Sequence, residues 1–200
     1  MTRGLELPLI FGTALLVLAG VVAQALLRQR RVVRSRLAAT RSFAAALRDA
    51  LAIDASLHPA HEPHREGMWA IDAVLRGRPL RALVGVDVVL LAVQLPGPAG
   101  AGWDLVPTRE FATRGGLYND PADPHRALDP AALGPGWSLR GRDAERKVQA
   151  LSPAIRTLLR ADAMAPPWVV DGWLRIHHTG ADVTATTVWI RDITDRIAAS

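Results

Sequence analysis

The sequence predicts an α+β fold: an N-terminal transmembrane helix and a basic stalk helix, then a mainly antiparallel sheet of about seven short strands with two or three helices on one side. Three observations carry that expectation. An uncharged apolar run extends from Leu7 to Leu27, strand-like alternation recurs between Trp69 and Leu95, and Ser-Pro and Asp-Gly pairs punctuate the C-terminal third.

As a helix, Leu7 to Leu27 would reach about 32 Å, which matches a hydrocarbon core of roughly 30 Å. Pro8 is tolerated at its start, where the first amides have no intrahelical partner. Arg28, Arg30, Arg31, Arg34, Arg36 and Arg41 follow at once, and no acidic residue occurs between Glu6 and Asp49. Such a cluster stays on the cytoplasmic side and leaves residues 1–6 outside. Arg28, Arg30, Arg31, Arg34 and Arg36 are therefore the candidate contacts to anionic headgroups. A cleaved secretory signal is the rival reading, since Ala23-Gln24-Ala25 is a small-x-small site and Arg3 supplies a positive start. The apolar run exceeds the usual h-region of about 7 to 15 residues, and the arginines beyond it resist export, so a retained anchor is preferred. Ala19 and Ala23 form a small-xxx-small pair through which a second copy could approach, leaving a homo-oligomer open.

The organisation that follows is an extracytoplasmic N-terminus (1–6), a transmembrane helix (7–27), a basic juxtamembrane stalk (28–57), a linker (58–67) and a cytosolic α+β domain (68–200). Val33, Leu37, Ala44, Leu47 and Leu51 recur at helical spacing, so the stalk helix should run to about Ile53 with one apolar side. That side could pack on the domain, pair with another stalk or lie along lipid, and packing on the domain is the default. The prolines of His58-Pro59-Ala60-His61-Glu62-Pro63-His64 then break the helix.

Trp69 to Leu75 and the series Leu80, Ala82, Val84, Val86 alternate as half-buried strands around a turn at Arg76-Gly77-Arg78-Pro79. Val88 to Leu95 is nearly all aliphatic, as a central strand requires, and Pro96-Gly97-Pro98 stops it. Together they predict an antiparallel meander, to which Trp103 to Val106 adds a strand. Pro107 to Gly136 lacks a period and reads as a long loop. Trp137 to Arg140 is a short strand, and Asp143 is a candidate cap for a helix to Leu151. Ser152-Pro153 starts another helix with Ile155, Leu158 and Leu159 on one face. Asp171-Gly172 between Trp168–Val170 and Trp173–His177 predicts a hairpin, because a type I′ turn needs two positive φ angles. Asp182 caps a last helix presenting Thr186, Ile190, Ile193 and Ile197 together.

Composition excludes some functions. The formal charge is +5, yet the six arginines from Arg28 to Arg41 exceed the whole excess, so no basic face is left for nucleic acid. With no cysteine, disulfides, thiolate catalysis and cysteine-ligated zinc are all excluded. Arginine outnumbers lysine 23 to 1, the bias of a GC-rich bacterial genome, so the membrane is read as a bacterial inner membrane.

Motifs with possible chemistry each have a plainer explanation. His58, His61 and His64, with Glu62 among them, are the best metal candidates, but a proline-rich linker does not hold ligands convergently. His177 and His178 are adjacent on a strand and point to opposite faces. Asp120, Asp123 and Asp129 miss the EF-hand spacing and suit turns. Gly97, Gly100 and Gly102 precede no phosphate-loop lysine, no serine sits in a nucleophile elbow, and no local element pairs two carboxylates. Trp69, Trp137, Trp168, Trp173 and Trp189 fall within predicted elements and serve the core. No catalytic, cofactor-binding or metal-ligating residue is assigned.

Trp137-Ser138-Leu139-Arg140-Gly141-Arg142-Asp143, Leu151-Ser152-Pro153-Ala154-Ile155, Asp171-Gly172-Trp173-Leu174-Arg175-Ile176 and Thr179-Gly180 together resemble a broad group of actinobacterial membrane-anchored proteins of unknown function. The resemblance covers roughly Met68 to Ser200 and implies a one-helix anchor before a strand-rich domain. The motifs are turns and caps, so no functional residue is transferred.

The expected role is a non-enzymatic, membrane-tethered cytosolic binding or scaffold module, whose partners are the lipid bilayer and another membrane or cytosolic protein. The strand count with a C-terminal helix also suits a pleckstrin-homology-like barrel, which keeps lipid headgroups in view. The alternative is a membrane-anchored enzyme acting on a small molecule in a pocket bordered by the loop from Pro107 to Gly136.

Overall fold

A computed structural model describes residues 6–51, 54–61, 67–95, 102–108, 125–160, 166–180 and 182–199, of which 6–17 and Pro130 are described by backbone alone. The chain divides into two units, Met1–Ala39 and Thr40–Ser200. The first holds most of helix α1 (Glu6–Leu51). Among the described residues no helix is long and apolar enough to cross a membrane. The predicted anchor rests in large part on side chains outside the described ones, those of residues 7–17.

In the second unit, nine antiparallel strands form one sheet among the described residues: β1 (Ser56–Pro59), β2 (Trp69–Leu75), β3 (Arg78–Val84), β4 (Val88–Gln94), β5 (Trp103–Pro107), β6 (Arg126–Ala127), β7 (Trp137–Gly141), β8 (Trp168–Val170) and β9 (Trp173–Thr179). Four further helices accompany them: α2 (Pro130–Leu133), α3 (Ala144–Gln149), α4 (Pro153–Arg160) and α5 (Val183–Ala198). The spatial order is β1-β2-β3-β4-β9-β8-β5-β7-β6. The fold class is thus α+β with a large antiparallel sheet, larger than the seven strands expected. Among the described residues no pairing joins β1 to β6, so these nine strands do not themselves close into the barrel that was one expectation.

The predicted meander is β2 through β4, extended at its edge by β1; the further strand expected at Trp103–Val106 is β5, which pairs with β7 and β8 instead of with the meander. Arg76 and Gly77, both at positive φ, make the two-residue turn between β2 and β3. Pro79 lies inside β3 instead of in that turn. It sits beyond the last β3–β4 pair, Leu80 with Val93, so its missing N–H deprives no partner on β4. The alternation ends at Val84, since Gly85 N–H donates to the Val88 carbonyl in a tight turn that leaves Val86 exposed.

The C-terminal hairpin joins the two halves of the sheet. Asp171 and Gly172 carry φ of 52° and 76°, as a type I′ turn demands, and β9 lies along β4 over seven residue pairs, from Val88 with Thr179 to Gln94 with Trp173. On the other side β8 pairs with β5 through Leu105 and Val169. Three bonds lock the turn to both neighbours: Leu95 N–H donates to the Gly172 carbonyl, Gly102 N–H to the Asp171 carboxylate, and Asp171 N–H to the buried Asp104 carboxylate.

One face of the sheet meets the helices. Ile71, Leu80, Ala82, Val84, Leu91, Val93, Leu105, Leu139 and Leu174 form a single core with Leu47 and Leu51 of α1, Val148 of α3, Ile155 and Leu159 of α4, and Ile190 and Ile197 of α5. Trp103, Trp137 and Trp168 are buried, while Trp69, Trp173 and Trp189 are half-buried. Asp182 caps α5 through the Ala185 amide, and Ser152 Oγ accepts from the Ile155 amide at the start of α4. Asp143 does not cap α3 as expected. Its backbone is left-handed, with φ 55°, and its side chain makes no cap bond. Gly141, at φ 112°, sits so close to the backbone of residues 102 and 103 that a Cβ there would collide with the Gly102 carbonyl oxygen.

Two expected boundaries move. Helix α1 is described to Leu51, with residues 52–53 outside the described ones, and β1 occupies residues assigned to the end of the stalk and the start of the linker. The later part of the predicted Pro107–Gly136 loop holds β6 and α2, with Asp129 capping α2 through the Ala131 amide, while residues 109–124 lie outside the described ones.

The apolar stripe of α1 divides at the unit boundary. Thr40, Ala44, Leu47 and Leu51, spaced four, three and four, are all buried, whereas Val33 and Leu37 are exposed. Leu47→Ala should therefore cost about 2–5 kcal/mol of stability and Leu37→Ala less than about 0.5, read by urea unfolding of the full chain in detergent micelles. Equal losses at the two positions would refute this division.

Candidate functional site

The sheet face away from the helices is only partly covered. A smaller apolar cluster of Ala70, Leu83, Leu90, Val106 and Trp168 lies on it, and beside that cluster opens a cavity of about 780 Å³. Its floor is a row dictated by strand register. Ser56, Asp72, Arg81, Ala92, Arg175 and Trp168 are successive cross-strand partners from β1 to β8. They share a face because neighbours in register always do. Ser56, Asp72, Arg81, Ala92 and Arg175 all line the cavity, together with Trp173, Leu83 and Leu90.

The charged members differ in how they are satisfied. Asp72 accepts from Arg81 Nε and Nη2 at 2.6 and 3.0 Å, a two-pronged pairing, and lies 2.8 Å from His58 Nε2 on the edge strand. The Arg81 guanidinium first, and then His58, hold the Asp72 carboxyl below the usual carboxylate range. The Asp72 hydrogen bond, aided by the Pro59 carbonyl, raises the His58 pKa above its ordinary value. Both side chains of the ion pair are about one-third to one-half exposed, so it contributes on the order of 1 kcal/mol or less. Arg175 is different: its Nε is enclosed and has no hydrogen-bond partner among the described residues.

His177 and His178 point to opposite faces, as expected. His177 meets the edge of Trp168, ring centroids 5.0 Å apart, and His178 stacks on Trp189 of α5 at 4.6 Å. Burial lowers the His178 pKa. Both histidines pair with β4, through Leu90 and Val89, and lie beyond the three residue pairs that join β9 to β8.

The other sequence candidates fall elsewhere. His58 is bound in β1, His61 is exposed with its ring stacked 6.3 Å from that of His58, and Glu62 and His64 lie outside the described residues, as do Asp120 and Asp123. Among the described residues no three His, Asp or Glu side chains gather as a metal site. Arg28, Arg30, Arg31, Arg34 and Arg36 are exposed on α1, in the other unit. Sequence reasoning passed over Asp72, Arg81 and Arg175. The available signal was a charge on the non-core face of three alternating strands, which becomes a site only once those strands are known to adjoin.

No family model, curated protein or solved structure matches this chain.

The pKa directions fix a pH window for β1. A raised His58 pKa gives stability that is complete below about 6.5 and lost as pH rises through the folded value; a lowered Asp72 pKa gives stability present above about 4 and lost as pH falls through its folded value. His178 has the opposite sign to His58, so global melting mixes the two. Amide exchange at Leu57 and His58, corrected for intrinsic rates, should show strongest protection between about pH 4.5 and 6.5, with the alkaline decline absent in Asp72→Asn. Protection that keeps rising to pH 9 would contradict the assignment.

Proposed function

We propose that this protein is a membrane-tethered cytosolic binding module that takes a small ligand into the cavity on the uncovered sheet face. The observation that carries the proposal is the cavity itself. Its volume of about 780 Å³ lies within the range of small-molecule sites, roughly 300–1,000 Å³, and its wall mixes aliphatic, aromatic and a few charged groups. Binding is favoured over catalysis because the one histidine–carboxylate pair at the cavity margin is already engaged: His58 is held by Asp72 and Asp72 by Arg81. An acid or base for chemistry needs a proton it is free to move.

The tether reading rests on the apolar run Leu7–Leu27 and the arginines beyond it, and it keeps the kinship with actinobacterial single-pass proteins as part of the proposal. At about 100° per residue, Arg28, Arg30, Arg31, Arg34 and Arg36 fall near 0°, 200°, 300°, 240° and 80° around α1. A collar of charge on every side suits a helix crossing the interface steeply, with the arginines at headgroup level. A helix lying in the interface would carry them on one side.

Two measurements test these parts separately. A reporter fused after Ser200 should be active only if it reads cytosol, and neutralising the six arginines from Arg28 to Arg41 should scramble that orientation; periplasmic activity of the parent fusion refutes the topology. Native mass spectrometry of the full chain in nanodiscs, after exposure to a bacterial metabolite extract, should show a bound species below about 1 kDa that Ala92→Phe removes. Identical spectra for both proteins would count against a binding cavity.

A further inference from the structure

We infer that the ligand of this cavity is a small organic monocarboxylate with an apolar body, and that Arg175 receives its carboxylate. This rests on the binding reading above and adds the chemical class.

The first support is the state of Arg175. A guanidinium offers five donors in a fork that matches a carboxylate, and leaving one enclosed without an acceptor is costly for a folded protein. Arg175 Nε is so enclosed, while the side chain borders the cavity. The neighbouring arginine does not share this condition, since Arg81 is engaged by Asp72. Ala92 separates the two in register, one strand from each, so their Cα atoms stand about 10 Å apart with a methyl group between them. That gap gives a ligand access to Arg175 from the side of Arg81.

Charge balance selects the valence. The cavity borders carry Asp54, Asp72 and Asp171 against Arg81 and Arg175. Asp72 cancels Arg81, which leaves one cation in the floor with two carboxylates beside it. Asp54 and Asp171 repel any anion in proportion to its charge, so a dianionic phosphate is opposed about twice as strongly as a monocarboxylate, whose single charge Arg175 can receive. The apolar body has its own wall. Trp173 lies two residues before Arg175 on the same face, and Leu83 and Leu90 are cross-strand partners at the next position of that face.

The probes are 2-naphthoate, the uncharged 2-naphthylmethanol and 2-naphthyl phosphate, titrated calorimetrically against the full chain in nanodiscs at pH 7.5. Naphthoate should bind at least about tenfold more tightly than either analogue. Arg175→Met should abolish that preference and also raise the thermal midpoint of the ligand-free protein by about 2 °C or more, because the enclosed Nε without a partner is gone. A purely structural arginine would lower the midpoint when replaced. Equal binding of naphthoate and naphthylmethanol, tighter binding of the phosphate, no saturable naphthoate binding at millimolar concentration, or a destabilised Arg175→Met would each overturn the carboxylate assignment. Ala92→Phe separates the two levels: it should remove naphthoate and naphthylmethanol alike. Undiminished binding by Ala92→Phe would place the site elsewhere and take the cavity reading down with this inference.

Discussion

The pairing of β9 with β4 is the constraint on which the rest of the domain depends. It joins residues 79 to 91 positions apart over seven register positions, and it inserts the C-terminal hairpin between the meander and the β5–β7 group. Because side chains alternate, a slip of one residue would send Leu174 and Ile176 out of the core and bury Arg175 against the helices. The Asp171-Gly172 turn resists that slip, since its backbone and carboxylate are bonded to the start of β5 and the end of β4 at once. The same register that completes the core therefore also delivers Arg175 to the opposite face, beside Ala92.

Local features of the fold were legible in the sequence wherever the code is local. The Asp171-Gly172 hairpin, the Ser152-Pro153 helix start, the Asp182 cap and the Ile190, Ile193, Ile197 face all stand where spacing and turn chemistry put them. The misses have a common cause in tertiary context. Ser56–Pro59 reads as stalk end and linker because His58 and Pro59 carry no strand signature, yet β2 offers it an edge to pair with. Val86 has the period of a strand but falls in a turn set by the register of β3 against β4. Asp143 has a capping side chain, but its backbone is left-handed and the side chain makes no cap bond.

The site was less legible than the fold. Asp72, Arg81 and Arg175 each look like an ordinary solvent-side residue of an alternating strand. Only the spatial order of strands, which pattern reading does not supply, brings them into one row with Ser56 and Trp168. The histidines that drew attention in sequence enter differently: His58 reaches the row as a clamp on Asp72, and His177 and His178 serve packing against tryptophans on opposite faces.

The cavity also has one wall built unlike the others. β1 has four residues, a single strand neighbour and mostly exposed or half-buried side chains, whereas β4 and β9 are paired on both sides. Strands with few bonds and little buried area separate from a sheet at far lower free energy than central ones do. Peeling these four residues from the margin would therefore widen the mouth of the cavity while the interior strands keep their register.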